Sequence, residues 1–145
     1  MRSVEAKYRP IKPSILIADP QVRFRKTLER FLGSEFSVVG SVGDGQSLLE
    51  ATQALKPDVI VAEISKWVLN AIGAVRRLRA GHHNVRVIIL SIHEEPAFVA
   101  KAQKSGARGY VLKRRAGFDL IPAIHEVLEG SQFVCPRSVR DSVDV

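Results

Sequence analysis

The sequence predicts a single α/β domain, in which a parallel sheet carries helices on both faces. Three observations predict it. Short apolar segments rich in β-branched residues recur along the chain, segments with helical spacing lie between them, and 145 residues fit one domain. Because each apolar strand of such a sheet is buried on both sides, it needs helices above and below. The predicted architecture is therefore a doubly wound, five-stranded parallel sheet.

Five segments predict the strands, since each is a short apolar run bounded by turn residues or by helical spacing. In chain order they are SILIA from Ser14, FSVVGSV from Phe36, DVIVAEI from Asp58, VRVIILSI from Val85 and GYVL from Gly109. Continuous apolar runs of this length are typical of strands that are covered on both faces.

Five helices are predicted where apolar residues recur every three or four positions. Four sets show this spacing: Phe24, Leu28, Phe31 and Leu32; Leu48, Ala51 and Leu55; Ala71, Val75 and Leu78; Leu120, Ile124, Val127 and Leu128. A weaker helix is predicted over residues 95–105. Helix ends are indicated by Gly33, Gly106 and Gly130, and the start of the second helix by Asp44 or Ser47.

The composition excludes several classes of protein. With 46% hydrophobic and 26% charged residues, the chain is neither disordered, nor collagen, nor a coiled coil. Its 22 Lys and Arg residues against 15 Asp and Glu residues give a formal net charge of +7. Such a charge favours polyanions in general, but the chain contains no long basic run.

Segment signals indicate a cytoplasmic protein with no membrane partner. The N-terminus has no apolar stretch behind its charges, and no apolar run approaches the ~18 residues that span a bilayer. Cys135 is the only cysteine, so neither an intramolecular disulfide nor a cysteine-based zinc site can form. We expect residues 1–12 to form a basic arm, 13–130 the domain and 131–145 a tail.

Polar residues end or follow four of the predicted strands. Asp19 follows the first strand, Glu63 and Ser91 end the third and fourth, and Lys113 follows the fifth. The carboxyl ends of parallel strands meet at one edge of the sheet, where ligands bind in this architecture. Asp19 alone is also explained as the cap of a helix that begins at Pro20. The set of four favours a shared pocket.

Several motifs in order resemble the receiver domain of bacterial two-component response regulators, especially the branch joined to a LuxR-type helix-turn-helix. They are ILIAD with a helix ending ERFL, then VVGSVGDGQSLLE, LKPDVIVAEIS, VIILSIHEE and SGARGYVLKR, within residues 12–133. The resemblance implies a flavodoxin-like sheet with strand order 2-1-3-4-5. It also implies a pocket where an acid pair and a third-strand aspartate hold Mg²⁺, and where that aspartate accepts a phosphoryl group.

Four residues match positions to which the family assigns a role. Asp19 matches the first acid of the pair. Ser91 and Lys113 match the hydroxyl and the ammonium that hold the phosphoryl oxygens, and Tyr110 matches the aromatic residue that changes rotamer on activation. The resemblance therefore implies an acidic pocket at Asp19, switch residues at Ser91 and Tyr110, and a phosphoryl- or carboxylate-binding role for Lys113.

Two positions depart from the family pattern. Pro20 stands where the second acid belongs and supplies no side-chain oxygen, and Glu63 stands at the phospho-acceptor position. Mg²⁺ requires near-octahedral oxygen ligands at roughly 2.0–2.1 Å, and a misplacement of ~1 Å can cost on the order of 10²-fold in rate. We expect impaired or absent phosphorylation, no enzyme activity and no resident cofactor. Mg²⁺ is a doubtful candidate, with Asp19 and Glu63 as its only ligands.

Glu63 allows two interpretations, and the sequence does not choose between them. Its carboxylate can reach toward the phosphoryl position, pair with Lys113, accept from Ser91 and hold the switch on. Alternatively, packing locks a static pseudo-receiver. A phosphoryl group brings about −1.5 to −2 of charge, whereas Glu63 brings one charge, so the mimicry is partial.

The leading hypothesis is an atypical receiver that regulates an output, such as transcription, through protein contact. The partner is another protein or a second copy, bound through helix 4, strand 5 and helix 5. Phe98, Val99, Tyr110 and residues 118–128 would contribute, although such residues can equally be core. The alternative is a working phospho-acceptor, with Glu63 or Ser65 modified, in a DNA-binding regulator. A histidine kinase partner is left open. We expect DNA contact only through an output domain outside this chain, with residues 131–145 starting the linker.

Overall fold

The strands lie where the apolar segments predict them. The computed structural model describes residues 11–63, 68–81 and 84–134. Its first five strands are β1 (Ser14–Ala18), β2 (Ser37–Val42), β3 (Val59–Glu63), β4 (Arg86–Ser91) and β5 (Gly109–Leu112). Four predictions concern residues outside the described ranges: the basic arm up to residue 10, Ser65 as a phosphate acceptor, the lone Cys135, and the tail beyond residue 134.

Five α-helices alternate with the strands, as the apolar spacing predicts. They are α1 (Val22–Gly33), α2 (Gly45–Leu55), α3 (Val68–Gly81), α4 (Pro96–Lys104) and α5 (Ala116–Leu128). A 3₁₀ turn over Lys113–Arg115 joins β5 to α5. Within the described ranges, no helix is both long and apolar enough to cross a bilayer.

The sheet is parallel and has the order β2-β1-β3-β4-β5-β6. The order 2-1-3-4-5 is confirmed for the first five strands. The sixth strand, β6 (Phe133–Val134), was not predicted, because two residues cannot show a periodic pattern. It pairs with Gly109 and Tyr110, so the sheet extends past residue 130, where the sequence predicts the domain to end.

Two apolar cores cover the two faces of the sheet. Alternate residues of β1 point to opposite faces: Leu16 belongs to the core that α2, α3 and α4 cover, whereas Ile15 belongs to the core that α1 and α5 cover. The strand residues of both cores are almost completely excluded from solvent. This burial on both faces explains why the strands read as continuous apolar runs.

Helix ends follow the local chemistry. Asp44 caps α2, where its carboxylate accepts a hydrogen bond from the Ser47 backbone N–H at 2.8 Å. That hydrogen bond lowers the pKa of Asp44. Gly106, after α4, has φ +103°, a conformation that favours glycine. Gly33 is the last residue of α1 rather than the residue after it.

Candidate functional site

Four polar residues from four strands meet at the carboxyl edge of the sheet, as predicted. The strand register sets their neighbours: Ala18 is paired with Ala62, Glu63 with Leu90 and Ser91 with Leu112. Asp19 and Glu63 therefore follow paired residues on adjacent strands. Asp19, Glu63 and Ser91 are all buried, with 0%, 4% and 4% exposure, although each is polar. Buried polar groups at one edge require specific partners.

The Lys113 ammonium forms an ion pair with the Asp19 carboxylate. Its Nζ lies 2.9 Å from Oδ2, and the lysine side chain is only 14% exposed. The approach lies outside the directions of a hydrogen bond, so the contact is electrostatic. The other carboxylate oxygen, Oδ1, accepts a hydrogen bond from the Gln21 backbone N–H at 2.7 Å. The structure shows Asp19 as a partner of the ammonium, and the contact between Glu63 and Lys113 that the sequence suggests stays a prediction.

Two residues at the start of α1 hold the ammonium in place. Gln21 Oε1 accepts a hydrogen bond from Lys113 Nζ at 2.8 Å. The Phe24 ring lies beneath the ammonium, with 4.4 Å between Nζ and the ring centroid, a distance at which cation–π attraction is effective. Lys113 is therefore bound by a carboxylate, an amide oxygen and an aromatic face.

Arg25 fixes the chain that follows β1. Its Nη1 donates to the Asp19 carbonyl oxygen at 2.8 Å. A Cβ atom on Gly43 would lie 2.6 Å from the same nitrogen, so glycine leaves room for the guanidinium. The Asp19 backbone N–H also donates to the Val42 carbonyl at 3.0 Å. Both bonds restrict where the Asp19 carboxylate can lie.

Tyr110 ties β5 to the loop that follows β4. Its hydroxyl donates to the His93 carbonyl oxygen at 2.6 Å, while the His93 backbone N–H donates to Ser91 Oγ at 3.0 Å. The His93 ring stacks on Phe98, with centroids 4.3 Å apart and planes 6° from parallel. Burial raises the pKa of the Tyr110 hydroxyl, and a hydrogen bond with Ser91 opposes that rise. Ser91 and Tyr110 thus act on one short loop.

Tyr110→Phe is expected to lower the free energy of unfolding by about 1–3 kcal/mol, because the His93 carbonyl loses its donor. The substitution should also change how the free energy of unfolding depends on pH. The pKa of Tyr110 is raised above 10.0 in the folded state, so the stabilisation by its protonated hydroxyl is complete below pH 10 and is lost as the pH rises through the folded pKa. Urea unfolding between pH 8 and 11 measures both effects.

The matched control is Thr27→Val, which removes an exposed hydroxyl on α1 that bonds only within its own helix. We expect it to change stability by less than about 0.5 kcal/mol. If the free energy of unfolding falls equally steeply above pH 10 in the wild type and in Tyr110→Phe, the raised pKa of Tyr110 does not cause the pH dependence.

Comparison with known proteins decides the family. Residues 15–125 match the response regulator receiver domain. The chain belongs to the response regulator receiver family. It is 34% identical over 128 residues to the transcriptional regulatory protein DegU of Brevibacillus brevis, a match that covers 87% of this chain and 54% of that protein. It is 29% identical over 132 residues to the probable transcriptional regulatory protein NarL of Mycobacterium tuberculosis, covering 90% and 61%. The receiver therefore spans about half to three fifths of these relatives.

Solved structures agree with the receiver fold. The receiver domain of the putative response regulator NarL from Mycobacterium tuberculosis superposes with a TM-score of 0.76 at 28% identity, covering 83% of this chain and 99% of that one. A LuxR-family response regulator from Aurantimonas sp. SI85-9A1 gives a TM-score of 0.81 at 23% identity, covering 92% and 96%. At that identity, the second likeness supports the fold alone.

Receivers can bind Mg²⁺ at the acidic pocket, so the donors of this receiver are tested against that ion. Asp19 has one oxygen engaged by a backbone N–H and the other facing an ammonium 2.9 Å away. Pro20 adds no side-chain oxygen. The part of the chain that the structure describes contains no group of three or more Asp, Glu, His or Cys side chains suited to a metal. Mg²⁺ is usually held by one or two carboxylates together with waters. Of the two acids at this edge, Asp19 and Glu63, the first has both oxygens engaged and cannot bind the ion without losing the ammonium, so these donors do not fit it.

Sequence reasoning missed Gln21, Phe24, Arg25 and His93 as parts of the site. The first three lie close behind Asp19 in the sequence, at the cap and in the first turn of α1, and this proximity was the available signal. Their contacts could not be predicted because they depend on side-chain rotamers. Part of the predicted docking face belongs to the core and offers little surface to a partner. The buried positions are Val99, Tyr110, Leu120, Ala123, Ile124 and Val127, all at most 2% exposed.

Proposed function

We propose that this receiver regulates an output through protein contact and does so without metal-dependent phosphorylation. The observation that carries the proposal is the ion pair between Lys113 and the buried Asp19 carboxylate. In the family, a divalent cation neutralises the acidic pocket. Here an ammonium lies against the matching acid, while Pro20 replaces the second one. The assignment of Asp19, Glu63, Ser91, Tyr110 and Lys113 to this modified pocket is part of the proposal.

The chemistry of phosphoryl transfer supports this proposal. Such transfer depends on positioning and on neutralising charge at the attacking and leaving oxygens. Glu63 begins its side chain at the acceptor position but is one methylene longer than aspartate, and the donors around it do not fit Mg²⁺. Both the position of the attacking oxygen and the neutralisation of charge are therefore less favourable here than in a receiver with the usual residues.

The test is incubation of the 145-residue protein with acetyl phosphate and Mg²⁺, followed by intact mass measurement. We expect no phosphoryl adduct on the wild type. Glu63→Asp is the matched variant, since it restores the usual acceptor without altering Pro20, and we expect at most a weak adduct. A stable adduct on the wild type would overturn the proposal.

The second candidate is a phospho-accepting receiver of a DNA-binding transcription regulator. Two observations favour it: Ser91, Lys113 and Tyr110 are retained, and the relatives are transcriptional regulatory proteins of greater length. In this alternative a histidine kinase supplies the phosphoryl group, and Glu63 accepts it. The mass experiment separates the two candidates directly.

The contact surface forms part of the leading proposal. The face of α4, β5 and α5 carries Phe118, whose side chain is 75% exposed and lies near the Arg115 guanidinium. We propose that this face binds a second copy or an output domain in the cytoplasm. The receiver then comprises residues 13–130 together with β6, and the residues after β6 lead to that output. Sedimentation of Phe118→Ser against the wild type tests self-association, and unchanged association would exclude this face.

A further inference from the structure

A cleft of about 300 Å³ lies between α3 and α4, lined by Arg76, Arg79, Ala80 and Ser105. These residues belong to the C-terminal ends of the two helices. Because helices of a parallel sheet run opposite to its strands, the cleft lies at the edge away from the Asp19 pocket. It is therefore independent of the function proposed above.

Arg79 is the central residue of the cleft, and it has an unusual feature. Its Nε atom is buried, and among the described residues no acceptor bonds to it. Its Nη1 makes one long hydrogen bond of 3.4 Å to the Gly106 carbonyl. A buried donor without a partner is rare in native proteins. No ligand in the cleft can reach this atom, so Arg79 can offer only its terminal nitrogens to a ligand.

The fold makes room for this guanidinium. A Cβ atom on Gly106 would lie 2.5 Å from Arg79 Nη1 and 3.2 Å from its Cδ, so only glycine leaves that space open. Gly106 also has φ +103°, which glycine adopts without strain. The guanidinium therefore occupies a defined position at the end of α4.

The surroundings of the cleft are basic. Residues 64–118 contain 11 of the 22 Lys and Arg residues of the chain and only two of its 15 acids, Glu94 and Glu95. None of the ion pairs among the described residues involves Arg76, Arg77 or Arg79. Of these basic residues, Arg76 and Arg79 line the cleft, whereas Lys113, Arg114 and Arg115 lie at the opposite edge of the sheet.

Basic residues near helix C-termini also complement the helix dipole, and that explanation suffices for Lys101 and Lys104 at the end of α4. Arg76 and Arg79, unlike those lysines, line a cleft, and no ion pair among the described residues gives either of them an acidic partner. A guanidinium offers donors in a planar fork that matches two oxygens of a phosphate. Arg76, one helical turn earlier on α3, lines the same cleft and adds a second guanidinium.

We propose that this cleft binds a phosphate group, carried either by free phosphate or by a nucleotide. Arg79 supplies the fork from its two terminal nitrogens, and Arg76 supplies the second cation. The cleft volume is at the lower end of small-molecule sites, which suits a compact anion.

The test is a titration of the ¹⁵N-labelled 145-residue protein with sodium phosphate, followed by NMR at constant ionic strength, with sodium chloride as the reference salt. We expect saturable shifts in residues 76–81 and 102–107 and in the Arg79 Nε–H signal. Arg76→Gln should weaken binding about tenfold, the factor that about 1.4 kcal/mol represents. Arg79→Lys keeps the charge but loses the fork, and we expect a similar loss.

Arg30→Gln is the matched control, because Arg30 is exposed in the last turn of α1 on the other face of the sheet. It should leave the phosphate affinity unchanged. A parallel titration with ATP separates the sources: tighter binding than phosphate assigns a nucleotide, and equal or weaker binding assigns free phosphate. Shifts that grow linearly, that match those of chloride, or that persist unchanged in Arg76→Gln would overturn the proposal.

Discussion

Lys113→Ala is expected to lower the free energy of unfolding by about 3–5 kcal/mol, the usual cost of removing one partner of a buried ion pair. Asp19 has no exposed surface, so its carboxylate would keep a buried charge without the ammonium 2.9 Å away. The contacts of Nζ with Gln21 and with the Phe24 ring would be lost as well. Urea unfolding at pH 7 measures the change.

Two further variants make this result specific. Lys101→Ala removes an exposed lysine from α4 and should cost less than about 0.5 kcal/mol. Asp19→Ala combined with Lys113→Ala should lower the free energy of unfolding by less than the sum of the two single changes. Each single change leaves the other charge of the pair unpaired, whereas the double variant removes both charges. A loss below about 1 kcal/mol for Lys113→Ala, or strict additivity in the double variant, would show that the ion pair contributes little.

Pro20→Asp combined with Glu63→Asp is expected to give the receiver a Mg²⁺ site. The two changes supply the missing acid and bring the second carboxylate to the usual length, so that three carboxylates surround the pocket. A ligand that binds only the folded state stabilises it by about 2.7 kcal/mol at 100 times its Kd. The urea midpoint of the double variant should therefore rise with added Mg²⁺.

The wild type is the matched control for this gain, and we expect its midpoint to stay constant over the same Mg²⁺ range. Pro20→Asp alone should respond less than the double variant, since Glu63 keeps its longer arm. An equal rise in the wild type would mean that the existing donors bind the ion, and the proposal of a metal-independent receiver would then fail.

The sequence predicted the order of the elements because burial on both faces produces long apolar runs, and runs of this kind are easily read. Ser14 to Ala18 and Gly109 to Leu112 even match the predicted segments at both ends. The strand β6 was missed because its pairing with β5 depends on a contact between distant segments, and two residues carry no periodic signal.

The sequence predicted which residue types form the site and at which edge of the sheet they lie. Asp19, Glu63, Ser91 and Lys113 do lie at the carboxyl ends of their strands. The ion pair of Lys113 with Asp19 was not predictable, because it depends on the rotamer of Lys113 and on Gln21, a side chain from another element. Spacing along a strand fixes position, but it does not fix the partner of a long flexible side chain.

The hydrogen bond from Tyr110 to the loop after β4 uses the main-chain oxygen of His93 rather than its ring. Every amino acid carries that oxygen, so substitution at position 93 leaves the acceptor in place. The ring of His93 packs against Phe98, and its Nδ1 lies 3.6 Å from a carboxylate oxygen of Glu95. Replacing the ring would change these two contacts and leave the hydrogen bond from Tyr110 in place. The side chains of Tyr110 and Ser91 thus hold this loop through the backbone atoms of His93, so a search for side chains that covary with position 93 would not detect these contacts.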